Sequence, residues 1–250
     1  MMKLLPFKVS ALLLVASASF SSGIITAIFP ILTDYYGVSA QKSSLLVSLF
    51  LFGYLSGQIF YGFLSKYKGY KYSLLIGFSI LLCGDILQVC LIQGVDFSLF
   101  CLARFISAFG ASSGLVCIFG IVNEIFAEEK ENKKFLSLLF ISLTLFAYFS
   151  ILLGGIINFS FNWRFIFYFA VLISLIKIIL VSRYIPSTKK TNILTTELRF
   201  LPILKTYIQA FRHQKLLASS LLIAFTTQPR LIPMPPWFQP YLQISSNYPL

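Results

Sequence analysis

Three ionisable side chains lie inside long apolar segments, where a charged group is costly unless it has a partner or a function. Asp85 occurs in ILLCGDILQV, Arg104 in FCLARFISAF and Lys177 in LISLIKIILV. An acid and a base that are held away from water can relay a proton, bind a charged substrate or neutralise each other. These three residues are therefore the first candidates for chemistry in this chain.

The depth of each group within its segment indicates which of them could meet. Asp85 lies about eight residues from the outer end of its segment and Arg104 about six, so at about 1.5 Å per helical residue the two reach similar depths. We therefore expect that Asp85 and Arg104 can form an ion pair. As an alternative, Arg104 near the outer interface and Lys177 near the inner one could extend their head groups to the surface.

Other kinds of chemistry find no support in the sequence. It contains no glycine-rich phosphate loop and no Ser–His–Asp pattern, and its single histidine, His213, stands in a polar segment. The four cysteines have no CxxC spacing, and all of them lie in or beside apolar segments. We expect neither an enzyme, nor a metal or organic cofactor, nor a disulfide framework.

The segments that carry the candidate residues have the composition of membrane spans. The chain of 250 residues is 58% hydrophobic and only 11% charged, with a mean hydropathy of +0.85. A helix needs about 20 apolar residues to cross about 30 Å of hydrocarbon. We predict an all-α integral membrane protein with six transmembrane helices. They cover approximately residues 9–32, 43–64, 72–92, 99–126, 135–159 and 164–182.

The basic residues predict how these spans are oriented in the lipid bilayer. The formal net charge of +12 would suggest nucleic acid as the partner of a soluble protein. Here the basic residues lie between apolar segments, on alternate loops, so we do not expect nucleic acid as a partner. With the N-terminus in the cytoplasm, 15 of the 20 lysines and arginines lie on the cytoplasmic side. The positive-inside rule therefore favours this orientation.

The first apolar segment has two interpretations. Lys3 and Lys8, followed by an apolar stretch with the small residues Ala16 and Ala18, could form a cleaved secretory signal. The stretch continues to Leu32, however, which is long for a signal and suitable for a span. We favour an uncleaved first helix.

Small residues at four-residue spacing predict where helices pack. The pairs are Gly53 with Gly57 in the second span and Gly110 with Gly114 in the fourth. This spacing places both members of a pair on one helical face, which lets two backbones approach closely. Routine helix packing is a sufficient explanation for these four residues alone.

The character of the sequence changes after residue 185. Residues 186–215 are polar and basic, and they predict a cytoplasmic linker that follows a six-helix unit at 1–185. The apolar stretch at 216–225 is too short to span, and the last 25 residues contain six of the ten prolines. We interpret residues 216–250 as an incomplete seventh helix and an aberrant tail that arose by truncation or frameshift.

The turn after the second span resembles a transporter motif. In GQIFYGFLSKYKGYK, residues 57–71, the pattern G-x-L-x-D-R-x-G-R-[RK] of the major facilitator superfamily is matched by Gly62, Leu64, Gly69 and Lys71. The form of this motif in the bicyclomycin-resistance (Bcr/CflA) drug:proton antiporters is matched further by Gly57, Gln58, Tyr61 and Ser65. Lys66 stands where the family has an aspartate that helps to hold its two halves together.

Two later stretches extend the resemblance. LARFISAFGASSG, residues 102–114, resembles a segment of the family's fourth span, and the family arginine implicated in proton coupling corresponds to Arg104. SILLGGIINFSFNWRFIF, residues 150–167, resembles the join between the fifth and sixth spans. Its matching residues include Gly154, Gly155, Trp163 and Arg164, whereas Ile151 stands where the antiporters have a proline.

The resemblance implies the N-terminal half of a secondary transporter in a bacterial-type inner membrane. Such a protein exports small amphipathic compounds or drugs against proton entry, with the proton gradient as its coupling source. The residues expected along the substrate and proton pathway are Gln58, Asp85 and Arg104. The acid that the antiporters place in the first span is not visible.

Three alternatives to a complete working exporter stay open. The product could be an inactive fragment of a transporter. It could be a half-transporter that works as a dimer or with a separate C-terminal half. It could also be a membrane or assembly protein that transports nothing.

Overall fold

A computed structural model of the chain describes residues 4–93, 96–126 and 128–187. All regular secondary structure within these residues is α-helical, so the predicted fold class is confirmed. Eight helices follow one another in this part of the chain. They are α1 (Leu4–Val15), α2 (Ser17–Thr26), α3 (Phe29–Tyr35), α4 (Ala40–Lys68), α5 (Tyr70–Leu91), α6 (Phe97–Ile125), α7 (Glu129–Ser160) and α8 (Phe165–Tyr184).

Up to six membrane spans can be built from these helices. Helices α4 to α8 are each long and apolar enough to cross a membrane, and α1 and α2 together form a sixth span with a bend of 44° between them. The count agrees with the predicted six spans when this bent pair is taken as one. The expectation of a continuous first helix over residues 9–32 is wrong, because three helices, α1 to α3, divide that segment.

Local chemistry accounts for both interruptions of the first span. Pro30 lies in the first turn of α3, and its ring and missing N–H prevent the helix from continuing out of Thr26. At the other break, the Ser17 hydroxyl donates to the carbonyl oxygen of Leu14 at 2.5 Å, a type of bond that bends helices. A Cβ atom on Gly114 of α6 would meet the same carbonyl oxygen. The first span is therefore bent where it packs closely against α6.

Several helices extend beyond the apolar segments that predicted them. Helix α7 begins at Glu129, six residues before the predicted start, and α4 continues to Lys68. Side-chain caps define other ends, since the Ser39 hydroxyl accepts from the N–H of Lys42 and Asp96 accepts from the N–H of Ser98. Hydrophobicity marks only the part of a helix that suits lipid, whereas capping chemistry decides where the helix ends.

Helix α6 lies at the centre of the described bundle. It packs against α1, α2, α4 and α5, while α2 also contacts α7 and α5 contacts α8. Two clusters of buried apolar side chains fill the interior, one towards each end of the spans. Phe78 and Ile118 belong to the first cluster, and Ile28 and Phe100 belong to the second. The charged candidates lie between these clusters.

Helix α1 is part of the packed interior. Its residues Phe7, Ala11 and Leu14 are buried in the first apolar cluster. The first apolar segment is therefore packed as one of the helices of the described bundle, and its retention stays a prediction.

The described bundle ends with α8 at Tyr184. The predicted linker and the predicted seventh helix and tail fall, from residue 188 onwards, outside the described residues. The divisions at 186–215 and 216–250 therefore stay predictions.

Candidate functional site

Polar side chains from four helices occupy the space between the two apolar clusters. We call this group the polar layer. It consists of Ser21 on α2, Asp85 and Gln88 on α5, Arg104 and Ser107 on α6, and Ser174 and Lys177 on α8. The three charged members are at most 6% exposed. Because buried charges within spans are costly and usually serve a function, the polar layer is the candidate site.

Hydroxyl and amide donors hold the Asp85 carboxylate. The hydroxyl of Ser174 donates to Oδ2 at 2.5 Å, and Nε2 of Gln88, one turn along α5, donates to Oδ1 at 3.4 Å. Nε2 of Gln88 also donates to the Ser107 hydroxyl at 3.2 Å. Asp85 therefore links α5 directly to α8 and, through Gln88, to α6.

The Arg104 guanidinium is directed to α2 and α4. Nη1 donates to the Ser21 hydroxyl at 3.2 Å, and both Nη atoms donate to the Ser21 carbonyl oxygen, at 3.4 and 3.3 Å. Its Cζ lies 4.4 Å from the ring centroid of Phe50, which is a cation–π contact. Nε has no hydrogen-bond partner among the described residues. One buried cation therefore ties α6 to two neighbouring helices, and the alternative of a surface-extended arginine is wrong.

The predicted direct ion pair between Asp85 and Arg104 is not formed. In the part of the chain that the structure describes, the one ion pair joins Lys133 and Glu129, both exposed. Ser174 and Gln88 take up the Asp85 carboxylate, while Ser21 takes up the Arg104 guanidinium. The two residues lie in one layer of the bundle, as their depth along the helices predicts. Depth does not specify the direction in which a side chain points, and the two side chains contact different neighbours.

Four of the seven residues of the polar layer were not predicted from the sequence. The missed residues are Ser21, Gln88, Ser107 and Ser174. The alternative in which Lys177 extends to the inner surface is not seen, since Lys177 is 6% exposed and its ammonium lies 5.8 Å from the ring centroid of Phe20. Helical spacing could have indicated some of them, because Gln88 lies three residues after Asp85 and Ser174 three before Lys177.

Gln58, the third predicted pathway residue, lies outside the polar layer. It is half-buried on α4, one turn after Tyr54. Its neighbour Gly57 packs against Phe109, which is more than one turn beyond Arg104 on α6. The structure thus brings Asp85 and Arg104 into one layer and leaves Gln58 nearer to the end of α4.

Gly53 and Gly57 form the contact between α4 and α6. A Cβ atom at Gly53 would lie 2.5 Å from the carbonyl oxygen of Phe105, and one at Gly57 would lie 2.6 Å from that of Phe109. A methyl group does not fit at these distances, so the two backbones touch. Both glycines face the same neighbour.

Gly110 and Gly114 face two different neighbours. A Cβ atom at Gly110 would lie 2.5 Å from the carbonyl oxygen of Gly77 on α5, whereas one at Gly114 would meet the carbonyl oxygen of Leu14 on α1. Both glycines allow a close approach of backbones, as expected, but to two different helices. A step of four residues turns a helix by about 40°, which is enough to change neighbours around the central α6. We call Gly53, Gly57, Gly110 and Gly114 the glycine seam.

The other glycines of the motif-like stretches, Gly62, Gly154 and Gly155, have different surroundings. A Cβ atom at Gly154 would lie 2.7 Å from the carbonyl oxygen of Ile24 on α2. Around a Cβ atom at Gly155, by contrast, no atom of the described residues lies within 4 Å, so Gly155 makes no packing contact within the described bundle. Gly62 lies within α4, where its carbonyl oxygen accepts a hydrogen bond from the Ser65 hydroxyl at 3.1 Å.

The stretch of residues 57–71 that resembles the transporter motif contains the turn between α4 and α5, and we call it the motif turn. It also contacts the end of α8. Gly69 separates the two helices with φ +87° and ψ 159°, a conformation that is open almost only to glycine. Nζ of Lys71 donates to the carbonyl oxygen of Ser182 at 3.0 Å. The last turn of a helix leaves carbonyl groups unpaired and favours a cation. The turn therefore fixes the end of α8 relative to α5.

Aromatic residues hold the opposite end of the bundle. The Tyr35 hydroxyl donates to the carbonyl oxygen of Ile92 at 3.0 Å, and the Tyr36 hydroxyl donates to that of Leu91 at 3.4 Å. Burial, with Tyr35 beside it, raises the pKa of Tyr36 to about 12, so this hydroxyl stays a donor. The ring centroids of Tyr35 and Trp163 are 5.0 Å apart. These contacts tie α3 to α5 and to the turn before α8.

The polar layer has the chemistry of a proton or polar-group site. It combines one carboxylate, two cations, three hydroxyls and an amide in a hydrogen-bonded arrangement between helices. Among the described residues, no group of three or more His, Cys, Asp or Glu side chains is placed to hold a metal ion. The layer can therefore take up and release protons or hold a charged group within the bundle.

Comparison with known proteins relates this fold to membrane transporters. The chain is 25% identical over 191 residues to an uncharacterized transporter of Rickettsia felis (strain ATCC VR-1525 / URRWXCal2), which covers 74% of this chain and 45% of that protein. The chain thus spans about half the length of this relative.

Solved structures show the same fold at low sequence identity. The proton:xylose symporter XylE bound to 6-bromo-6-deoxy-D-glucose matches with a TM-score of 0.61 and 15% identity, over 73% of this chain and 45% of that one. A D-xylose-proton symporter matches with a TM-score of 0.56 and 16% identity, over 84% and 52%. The POT family transporter PepTSo matches with a TM-score of 0.51 and 15% identity, over 76% and 43%.

The match to a family extends well beyond the described helices. Residues 11–250 match the Major Facilitator Superfamily, in agreement with the motif turn and with the fold of the solved transporters. With this match, the six spans, the motif turn and the bent first span have a common explanation: the chain belongs to the major facilitator superfamily.

Proposed function

We propose that this chain is the N-terminal half of a proton-coupled exporter of small amphipathic compounds. The superfamily consists of membrane transporters rather than enzymes, and the chain shares its fold with two proton symporters. Its motif turn and its Arg104 segment resemble those of the drug:proton antiporters. The orientation proposed is N-terminus inside, in a bacterial-type inner membrane, because that orientation places most of the basic residues on the cytoplasmic side.

The observation that carries the proposal is the buried charge in the polar layer. Asp85, Arg104 and Lys177 are nearly inaccessible, and each would cost several kcal/mol in hydrocarbon without partners. Apolar residues of similar size would make a more stable bundle. Retention of three charges between packed helices is therefore better explained by a function, and proton binding needs an acid such as Asp85.

In this mechanism Asp85 supplies the acid that is not visible in the first span. A proton that binds to Asp85 neutralises the carboxylate and changes the hydrogen bonding with Ser174 and Gln88. Arg104 keeps its charge and holds α2 through Ser21. Protonation can thus alter the contact of α5 with α8 while α6 and α2 stay joined, and such changes between packed helices bias the rocking of one half of a transporter against the other.

Proton-coupled efflux can be tested in inside-out membrane vesicles. The vesicles are acidified inside, and an amphipathic dye or cation is added while a pH-sensitive probe reports proton movement. We expect substrate addition to release protons from vesicles of native membranes, which contain the full chain together with any second half it works with, and we expect Asp85→Asn to abolish the response. Asp34→Asn is the matched control, because Asp34 is an exposed carboxylate on α3. Wild-type vesicles without any substrate-dependent proton movement would contradict the proposal.

A half-transporter that needs a second half is the other candidate, and one observation favours it. α4 and α7 present exposed apolar side chains, among them Phe52, Leu55, Leu145, Leu152 and Ile156, and the chain covers 45% of the length of its Rickettsia relative. These faces suit either lipid or a second half. Single-molecule counting of the full chain in native lipid discs distinguishes a face covered by lipid from a face covered by a second copy of the chain. A chain that transports while strictly monomeric would exclude a dimer.

A further inference from the structure

The contact between α5 and α8 contains a second charged group beside Asp85. Ser174 and Lys177 are three residues apart on α8, so they share one helical face. The Ser174 hydroxyl lies 2.5 Å from Oδ2 of Asp85, which places this face of α8 against the carboxylate. Lys177 therefore lies within one helical turn of the point where α8 touches Asp85.

The surroundings of Lys177 point to Asp85 as its partner. Lys177 is 6% exposed, and its ammonium lies 5.8 Å from the ring centroid of Phe20. A ring face attracts a cation, but only a negative charge offsets most of the cost of burying one. Asp85 is the carboxylate that this face of α8 contacts, through the Ser174 hydroxyl.

Arg104 is less suited to the role of counter-ion. Its Nη atoms are engaged by Ser21, and its guanidinium stacks on Phe50. Neither cation forms a direct ion pair with Asp85 among the described residues, but Lys177 is three residues from Ser174, whose hydroxyl holds the carboxylate. The polar and charged groups that face Asp85 are Gln88 from α5, Ser107 and Arg104 from α6, and Ser174 and Lys177 from α8.

We infer that Lys177 on α8, rather than Arg104 on α6, is the counter-ion of Asp85 and positions this carboxylate for proton uptake. When a proton binds, Asp85 becomes a neutral acid and the Lys177 ammonium keeps its charge without a counter-charge nearby. The attraction between α5 and α8 is then lost. Proton uptake thereby loosens one specific helix contact, which is the coupling step that the proposed transport requires.

The charge pair can be tested independently of transport, by thermal unfolding of the full chain in detergent. Asp85→Asn and Lys177→Met each leave one buried charge uncompensated, so we expect each to lower the midpoint by roughly 5–10 °C. The double variant removes both charges and is expected to recover most of that loss. Asp85→Asn with Arg104→Gln, and Asp34→Asn with Lys177→Met, are the matched double variants that should recover nothing.

Each outcome decides for or against the pair. Recovery in Asp85→Asn with Arg104→Gln, but not with Lys177→Met, would assign the counter-ion role to Arg104 and overturn the inference. No recovery in any double variant would also overturn it. If the single variants do not fold, the yield of monodisperse protein replaces the midpoint, and rescue by the double variant supports the pair in the same way.

The positioning role has its own readout, and it rests on the proposed proton-coupled function. Loss of a nearby positive charge favours the protonated carboxyl, so Lys177→Gln should move the pH midpoint of transport upward by about one unit. Lys177→Arg keeps the charge and should leave the midpoint in place. An unchanged midpoint in Lys177→Gln would overturn the positioning role. A charge pair detected by unfolding in a chain that transports nothing would refute the proposed function while leaving the pair intact.

Discussion

The central helix α6 contacts its neighbours in two contrasting ways. Along the glycine seam, Gly53, Gly57, Gly110 and Gly114 remove side chains so that backbones touch. In the polar layer, one turn away, Arg104 and Ser107 extend polar side chains towards α2, α4 and α5. The seam has one tight arrangement that does not depend on charge, whereas the layer holds groups whose charge can change. The bundle thus combines a fixed contact with a responsive one on the same helix.

The largest expected effect comes from filling the seam. Gly110→Leu would drive a side chain into Leu81 and the Gly77 carbonyl oxygen, so we expect a loss of about 3 kcal/mol or more of stability and little folded protein. Fluorescence-detected size-exclusion chromatography measures this as the fraction of monodisperse chain. Gly155→Leu is the control, since no described atom lies within 4 Å of a Cβ at that position. Equal yields for both variants would show that the seam is not tightly packed.

Arg104→Lys tests whether the polar layer depends on geometry as well as charge. Lysine keeps the positive charge but cannot make the forked contacts with Ser21, so we expect a loss of about 1–3 kcal/mol. Thermal unfolding of the purified chain measures the change. Arg164→Lys, an exposed cation over the rings of Tyr35 and Trp163, should change stability by less than about 0.5 kcal/mol. If the two variants are equally stable, the layer needs only charge at residue 104.

Gly69→Ala tests the backbone of the motif turn. This turn joins α4, which contributes to the glycine seam, to α5, which contributes to the polar layer. A Cβ atom is strained at φ +87° and ψ 159°, so we expect a loss of about 1–3 kcal/mol. The unfolding midpoint should fall accordingly. Gly155→Ala, at an open helical position, should instead be neutral or slightly stabilising. A stable Gly69→Ala variant would mean that the turn does not need this conformation.

The smallest expected effect is at the capped end of α8. Lys71→Gln removes the cation that donates to the Ser182 carbonyl oxygen, which should cost about 0.3–1 kcal/mol. Hydrogen exchange should become faster in the last turn of α8 and stay unchanged in α6. Lys66→Gln, from the same turn but exposed, is the control. If exchange rises equally in both variants, the effect comes from removing a positive charge in general. It would then not come from loss of the hydrogen bond between Lys71 and Ser182.

Sequence alone predicted the fold better than it predicted the contacts of the site. Apolar segments gave six spans, and the spacing of Gly53 and Gly57 gave one shared face. The partners of Gly110 and Gly114 could not be predicted in the same way, because they depend on which helices surround α6. Asp85 and Ser174 are 89 residues apart in the chain, so no local pattern indicates that they meet. The break between α2 and α3 could have been expected from Pro30, which fits only the first turn of a helix.

Direct detection of a proton on Asp85 is the measurement that tests the account most closely. Infrared difference spectra of the full chain in lipid, recorded between acidic and alkaline pH, report the C=O band of a protonated carboxyl group in an apolar setting. We predict a band that disappears in Asp85→Asn and persists in Asp34→Asn, and that changes its pH midpoint in Lys177→Gln. The same band in wild type and Asp85→Asn would show that Asp85 does not exchange a proton, and the polar layer would then have no part in proton coupling.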